Sequence, residues 1–523
     1  MNLDKKIFKS LNKENLIKIY LGYKETKTDY FKMIEEDKRI MGEDGIAPEV
    51  YDKLIMKTEL LDNLIKRIVK RQYLFKPFRE IEIPKDKSLT KKKAIKLKKT
   101  RILSIANIKD VLIQKVVYES IKEYSENKFK EIENLSYAYR EGKSAPCAIR
   151  NVEKYVNDGY TQILNLDLCK FFDKIDHKIL LKKIKKFYGE ENEILLYILK
   201  KFIKSYKIET STINKIKKIS KIKNIRNKKI RYMKKVKHVN EIFHHLKVKR
   251  TPRKEGIPQG GILSGLLANI YLYEFDLWIK NTLSTNMDIK YIRYADDFLI
   301  LFKDKNQMDE AFGKVKDEMK KINLYIHEIG EKSKKINLNK ECVEYLGFEI
   351  KLMKNKAKIR VREKNLIAFK NRILDILMKL EDNSYSKKFA LELIIKKINF
   401  KICGNRAKEG EDCPRCKKMN SYRSWIGYFG NITDENQLKD LDRWIFKKIS
   451  IFMYKKYKMK LNRNDIYFDK NLTFEENKTK LKSLIWEYYY YRRNLRKKRE
   501  VCNCSPKEKK EYQHKEEEKI PFY

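Results

Sequence analysis

The feature that most constrains this chain is a set of three aspartates at the ends of apolar runs that lie far apart in sequence. Asp167 closes the run Gln162-Ile163-Leu164-Asn165-Leu166, and Asp296-Asp297 sit in a tight Tyr294-Ala295-Asp296-Asp297 turn ahead of Phe298-Leu299-Ile300-Leu301-Phe302. Short apolar runs bounded by polar turn residues read as buried strands. The acids therefore stand where strand ends can face one another across a sheet. A lone Asp-Asp pair is more often a turn or a helix cap, but Arg293-Tyr294-Ala295 before it and an apolar strand after it favour the sheet-end reading.

The chemistry such a set suits is narrow. Joining a nucleotide to a 3′-hydroxyl needs the attacking and leaving oxygens held in line and their charge neutralised. Two magnesium ions about 3.5–4 Å apart do both. Magnesium prefers carboxylate and phosphate oxygens, so acids must converge from separate segments. The charge balance agrees: 122 Lys and Arg stand against 72 Asp and Glu, a formal net charge of +50. A field of that sign favours polyanions, because neutralising phosphates releases condensed counterions. A lysine-rich coding bias is the competing source of part of the excess.

The remaining pattern places these acids in an α+β chain. Apolar spacing predicts a helix over Tyr51 to Ile68 and an alternating strand Phe78-Arg79-Glu80-Ile81-Glu82-Ile83 stopped by Pro84. A basic link runs from Lys87 to Lys99, a helix is expected from Ile105 to Tyr124, and another opens near Ser144. Residues 201–250 carry eighteen Lys or Arg against two Glu, which reads either as a solvated face or as a surface gripping a template. Beyond residue 360 the spacing is helical to about Tyr457, and a basic, tyrosine-rich tail follows. No run reaches the roughly 18 apolar residues of a membrane span, and the start lacks a secretory apolar stretch, so the cytoplasm is the expected compartment. Eight cysteines at irregular spacing do not make a disulfide scaffold.

Taken in order, these segments resemble the successive motifs of reverse transcriptases of the group II intron lineage. Gly42-Glu43-Asp44-Gly45-Ile46 and the stretch from Tyr73 to Ile83-Pro84-Lys85 resemble the N-terminal extension over the fingers. Lys99-Thr100-Arg101-Ile102-Leu103 with Asp110 and Gln114, then Ser136 to Ser144, resemble the two fingers motifs. The stretch from Leu166 to His177 is similar to the first metal-binding palm motif. Gly256-Ile257-Pro258-Gln259-Gly260-Gly261-Ile262-Leu263-Ser264, with Leu266 to Leu272, resembles the motif that positions the template base. Lys332-Ser333 and Tyr345-Leu346-Gly347-Phe348 resemble the two that complete the palm.

The resemblance implies a right-hand polymerase with fingers and palm, built of an antiparallel sheet plus helices, and an α-helical thumb. The expected blocks are residues 1–90 as N-terminal extension, 91–160 as fingers, 161–350 as palm with the basic insert 201–250, 351–460 as helical thumb with a Cys-containing insert at 405–424, and 461–523 as tail. It implies that Asp167, Asp296 and Asp297, with the Leu168 carbonyl, hold two Mg2+, Mn2+ being an alternative. Phe172 corresponds to a steric gate against the 2′-hydroxyl, a core aromatic beside Phe171 being the other reading. Arg101 and Arg140 lie where cations hold the triphosphate, Gln259 and Gly260 approach the base pair, and Lys332 matches the lysine that protonates pyrophosphate. Asp173, Asp176 and His177 read as structural companions.

Two departures stand out. Gly265 occupies a place where relatives carry proline, which is expected to loosen the start of its helix. About twenty residues lie inserted between Gly404 and Trp425, carrying Cys413 and Cys416 with Cys403 upstream. That spacing resembles part of a structural Zn2+ site completed by Cys502, Cys504 or His514, and three nearby cysteines without metal are the alternative. No His-Asn-His-like pattern follows Cys504.

The implied partners are an RNA template, noncoding or intron-derived, a DNA primer or product, and dNTPs, with a homo-oligomer left open. The leading functional expectation is an RNA-directed DNA polymerase copying a specific noncoding RNA in bacterial antiphage defence. The alternatives are a group II intron-encoded maturase and an RNA-binding splicing factor with a vestigial site. In the tail, Trp486 to Arg493 mixes aromatics with cations, either as a stacking platform for single strands or as a helix packing two tyrosines inward.

Overall fold

The computed structural model describes residues 2–34, 55, 59–85, 91–97, 99–209, 250–403, 424–467 and 480–496. The Gly42–Ile46 motif, most of the basic insert, Cys413, Cys416, Cys502, Cys504 and His514 lie outside them. The expected α+β character is observed. Contacts divide the chain into two compact units: one of Met1–Glu141, Leu166–Phe298 and Gln307–Ser333, the other of Gly142–Asn165, Leu299–Asn306 and Lys334–Tyr523.

In the first unit, β1 (Phe78–Pro84) pairs antiparallel with β2 (Thr100–Ile105), from Arg79 opposite Ile105 to Pro84 opposite Thr100. The strand β3 (Gln162–Asp167), which leads from the second unit back into the first at Leu166, follows the second unit's helix Ala145–Asn157. Two short strands, β4 (Tyr206–Ile208) and β5 (Thr251–Pro252), complete the first sheet in the order β2-β1-β4-β5, with β1 and β4 parallel. Glu80 on β1 is buried and is neutralised by Arg253 at 3.4 Å and Lys207 at 3.7 Å.

The helix Ile108–Phe129 starts where Asn107 accepts from the Asp110 N–H at 3.0 Å. Asp110 in turn accepts from the Lys76 N–H at 3.0 Å and from the Tyr73 hydroxyl, which fastens the segment before β1 to this helix. At the chain start, Asp4 accepts from the Ile194 and Leu195 N–H groups, both at 2.9 Å, at the N-terminus of the helix Glu193–Ile203. A carboxylate there satisfies otherwise orphaned donors and complements the helix dipole.

The sheet that carries the acids is formed by β6 (Ile289–Tyr294), β7 (Asp297–Phe302), β3 and β8 (Lys334–Asn337), in the order β6-β7-β3-β8. Phe298 to Phe302 are buried without alternation, as in a strand covered on both faces. The helix Ser264–Trp278 is buried along most of its length and continues through a π-helical turn, Ile279–Leu283.

In the second unit, β9 (Val343–Tyr345), β10 (Phe348–Met353) and β11 (Lys356–Val361) form an antiparallel sheet in the order β11-β10-β9. Helices Glu363–Glu381, Lys387–Cys403, Trp425–Phe429 and Glu435–Tyr457 follow, as the periodicity predicts. The tail helix Leu484–Arg496 is held by Asp442, which accepts from Ser483 Oγ at 2.6 Å and from the Leu484 N–H at 2.8 Å. Its tyrosines divide: Tyr488 and Tyr491 are buried, while Trp486, Tyr489 and Tyr490 are exposed. Cys403 is buried at the end of its helix. Among the described residues, no helix is long and apolar enough to cross a membrane.

Candidate active site

The turn between β6 and β7 is two residues long, and Ala295 adopts φ +60° while Asp296 does not take a positive φ. That is the arrangement of a type II′ hairpin turn, which favours glycine at its first position. An alanine there stores strain that its surroundings must offset. Arg293 supplies the offset. Its side chain is wholly buried (0% exposed) and donates to the Ala295 carbonyl at 3.0 Å, to Asn269 Oδ1 at 3.2 Å and to both oxygens of Asp276. Tyr291 donates to Asp276 at 2.9 Å, and Asn269 donates to the Ala138 carbonyl at 2.8 Å. A planar guanidinium fork suits this divergent set of acceptors, as a lysine ammonium would not.

Asp167 is brought to this turn by backbone pairing. The Leu168 N–H donates to the Asp296 carbonyl at 3.3 Å, and the His327 N–H donates to the Asp167 carbonyl at 3.0 Å. Lys332 donates to Asp167 Oδ2 at 3.0 Å and to His327 Nε2 at 3.0 Å, while His327 Nδ1 lies 3.1 Å from Glu331. The sequence expectation for Lys332 thus meets a geometry in which its ammonium is beside a candidate metal ligand.

The electrostatics show how closely the acids are coupled. Burial, then the charges of Asp167 and Asp296, push the Asp297 carboxyl up to about 8. Asp296 is raised by burial and by Asp167, against the opposing pull of Lys332 and Arg293. Two carboxyls whose proton affinity is raised by burial and further by the neighbouring Asp167 charge make a donor set suited to a hard divalent cation, which relieves that repulsion. Among the described residues, no three Asp, Glu, His or Cys side chains are gathered closely enough to hold an ion as they stand.

The other expected residues separate. Phe172 is half-buried and lies between two rings, Phe171 at 5.3 Å and Tyr139 at 6.1 Å, both edge-on. Arg101 is exposed on β2, close enough to Tyr139 to oppose the rise in that phenol's pKa, which burial and then Asp296 cause. Arg140 departs from the expectation. Its side chain is 1% exposed, donates to Glu126 at 2.8 Å and to the Phe129 carbonyl at 3.2 Å, and stacks over the Phe129 ring. This guanidinium is committed to an ion pair with Glu126 on the helix Ile108–Phe129.

Gln259 donates to Asp173 Oδ1 at 3.1 Å, and its carbonyl accepts from the Ser104 N–H at 2.7 Å. Gly260 takes φ +104°, and a side chain there would strike Leu103. Glycine here answers to the positive φ and to the close approach of β2. His177, a structural companion as expected, donates through Nε2 to the Gly256 carbonyl at 2.7 Å. Sequence reasoning missed the Arg293–Asp276–Asn269 network, His327 with Glu331, and Tyr139. Only Arg293 carried a signal, as a charged residue between Ile292 and Tyr294 directly ahead of the Ala295-Asp296-Asp297 turn.

The model of the reverse transcriptase (RNA-dependent DNA polymerase) family matches residues 83–350, just over half of the 523 residues. The chain belongs to the reverse transcriptase family. Among relatives of this reverse transcriptase, protein YkfC of Escherichia coli (strain K12) is 24% identical over 45% of this chain and 56% of that protein. The group II intron-encoded protein LtrA of Lactococcus lactis subsp. cremoris is 23% identical over 64% of this chain and 57% of its own length. The reverse transcriptase is thus group II intron-like, and it spans a little over half the length of these two curated relatives. Among solved structures, apo telomerase from Candida tropicalis matches with a TM-score of 0.38 and 14% identity, over 77% of this chain and 64% of that one, a likeness too distant to add to the family match.

Proposed function

We propose that the chain is an RNA-directed DNA polymerase: the 3′-oxygen of a primer attacks the α-phosphorus of a dNTP, and pyrophosphate leaves. The observation that carries this reading is the meeting of Asp167 with Asp296-Asp297 through the Leu168–Asp296 backbone bond, with Asp297 raised to about 8 by burial and its neighbours. Asp167, Asp296, Asp297 and the Leu168 carbonyl would hold two Mg2+, or Mn2+. Bound there, the ions supply Lewis-acid charge to the attacking and leaving oxygens.

The protein's own groups do the rest. Lys332, already at Asp167, carries a proton to the departing pyrophosphate. Arg101 pairs with the triphosphate, and Phe172 crowds the sugar where a 2′-hydroxyl would lie. Residues 1–90, 91–160, 161–350 and 351–460 serve as extension, fingers, palm and helical thumb of a right hand, with the basic insert and the tail on the template. The formal charge of +50 supports RNA and DNA as partners, with the cytoplasm as the proposed compartment. Cys403, Cys413 and Cys416 are retained as a structural zinc proposal, which a metal-free purified protein would end.

For the biological role, the likeness to the intron-encoded LtrA supports a maturase-like reading. Copying a defence-associated noncoding RNA is the second reading, which the basic insert and inserted cysteines favour. Sequencing the RNA that copurifies separates them: intron RNA supports the first, a compact noncoding RNA the second. Incorporation of labelled dNTP on poly(rA)·oligo(dT) with Mg2+ tests the polymerase reading, and a purified, folded protein without RNA-templated incorporation contradicts it.

A further inference from the structure

Tyr139 stands out among the residues around the acids. It takes a left-handed φ of +56°, is half exposed, and packs edge-on against Phe172 with ring centres 6.1 Å apart and planes at 82°. A non-glycine residue in that backbone region is strained, and such strain persists only where the surroundings hold it. The surroundings here are a helix with part of its surface missing. Gly265 lies in the first turn of the helix Ser264–Trp278, and a Cβ added to it would come within 3.0 Å of the Cβ, Cγ and Cδ1 of Tyr139.

Glycine in a helix costs about 1 kcal/mol relative to alanine. Gly265 is therefore better read as clearance than as a loosened helix start. The ring of Tyr139 lies in that space. Phe172 is also held elsewhere: its carbonyl accepts from the Ile257 N–H at 2.8 Å, and Phe171 packs on its ring at 5.3 Å. Phe171 is a core residue, 1% exposed. Among the described residues, the ring packed on Phe172 that reaches solvent is Tyr139.

We propose that Tyr139 is a specificity-determining residue: seated on Gly265, its ring holds Phe172 in the position from which it excludes the 2′-hydroxyl of an incoming ribonucleotide. This rests on the reading of Phe172 as the gate. Without the Tyr139 ring, Phe172 gains room to turn away from the sugar, so ribonucleotides enter more readily while the carboxylates stay in place. An alanine at residue 265 acts through the same contact, because the added methyl lifts the Tyr139 ring from its seat.

The test uses the full chain on poly(rA)·oligo(dT), comparing kcat/KM for dTTP and for 5-methyluridine triphosphate, which differ by the 2′-hydroxyl alone. Tyr139→Ala is expected to lower the deoxy preference about three- to tenfold, the range of one edge-to-face aromatic contact. Tyr139→Phe keeps the ring and holds the ratio within about twofold. Gly265→Ala lowers it as Tyr139→Ala does, and the two together lower it no further than either alone.

A purely structural role for Tyr139 would depress both triphosphates alike and leave the ratio unchanged, which overturns the proposal. Phe172→Ala separates the two readings. If it lowers the ratio while Tyr139→Ala does not, the Tyr139 proposal alone fails; if neither does, the gate and the proposal fail together. Should Tyr139→Ala not accumulate as folded protein, Gly265→Ala decides, and an unchanged ratio there overturns the proposal.

Discussion

At the scale of single residues, the acids are placed for a ligand at the cost of the fold around them. The folded protein keeps the Asp297 proton up to about pH 8, whereas an unfolded chain releases it at about 4. Stability of the metal-free protein from this group therefore falls as pH rises between those values. Asp297→Asn removes the charge, and in EDTA at pH 8 its Tm is expected to exceed that of the wild type by at least about 2 °C. An unchanged or lower Tm in a thermal melt would mean that the carboxylates are not crowded as described. Arg140 makes the opposite point. Its motif position was legible in the sequence, but its partner Glu126, on the helix Ile108–Phe129, was not. A spacing pattern names a cation without saying which acid it meets.

Individual elements show where local sequence suffices and where it does not. The strands ending at Asp167 and starting at Asp297 were legible because apolar runs stop abruptly at charged residues. Gly265 answers to another segment as well as to its own helix, because an added Cβ would strike the ring of Tyr139. The β6–β7 turn carries a prediction of its own. Ala295→Gly relieves the positive φ and should leave the protein folded, with a melting temperature at or above that of the wild type. Arg293→Lys loses the fork that joins Asp276, Asn269 and the Ala295 carbonyl. It should destabilise by about 3 kcal/mol in denaturant melts, the scale of a broken buried pair. A loss below about 1 kcal/mol would remove Arg293 from its role in holding the turn.

The segment beginning at Gly256 answers to pH through His177. Burial, with Arg253 and Lys204 nearby, lowers the pKa of its imidazole, opposed by the bond to Gly256. The unfolded chain then binds more protons than the folded one near pH 6. Stability is therefore expected to fall as pH drops through about 6.5. A His177→Gln variant should show a flatter dependence between pH 7 and 5, and an identical slope would mean that His177 is not the group responsible.

On the scale of the whole molecule, the proposed nucleic-acid partner rests on charge and family together. The formal charge of +50 was legible at once, and so was the ordered series of motifs that the family match spans from residue 83 to 350. What could not be read was the wiring between motifs: Asn269 reaching Ala138, and Lys332 shared between Asp167 and His327. Such bonds join segments whose separation in sequence carries no periodic signal. With this charge, affinity for RNA should fall on the order of a thousandfold between 50 and 200 mM salt.

The central claim is that Asp167, Asp296 and Asp297 form one metal-dependent polymerising centre. It is tested most directly by labelled dTTP incorporation on poly(rA)·oligo(dT) with Mg2+, comparing the wild type with Asp296→Ala combined with Asp297→Ala. The account predicts that the doubly substituted protein, folded and still binding RNA, loses at least about a thousandfold in rate. Incorporation at the wild-type rate would contradict it.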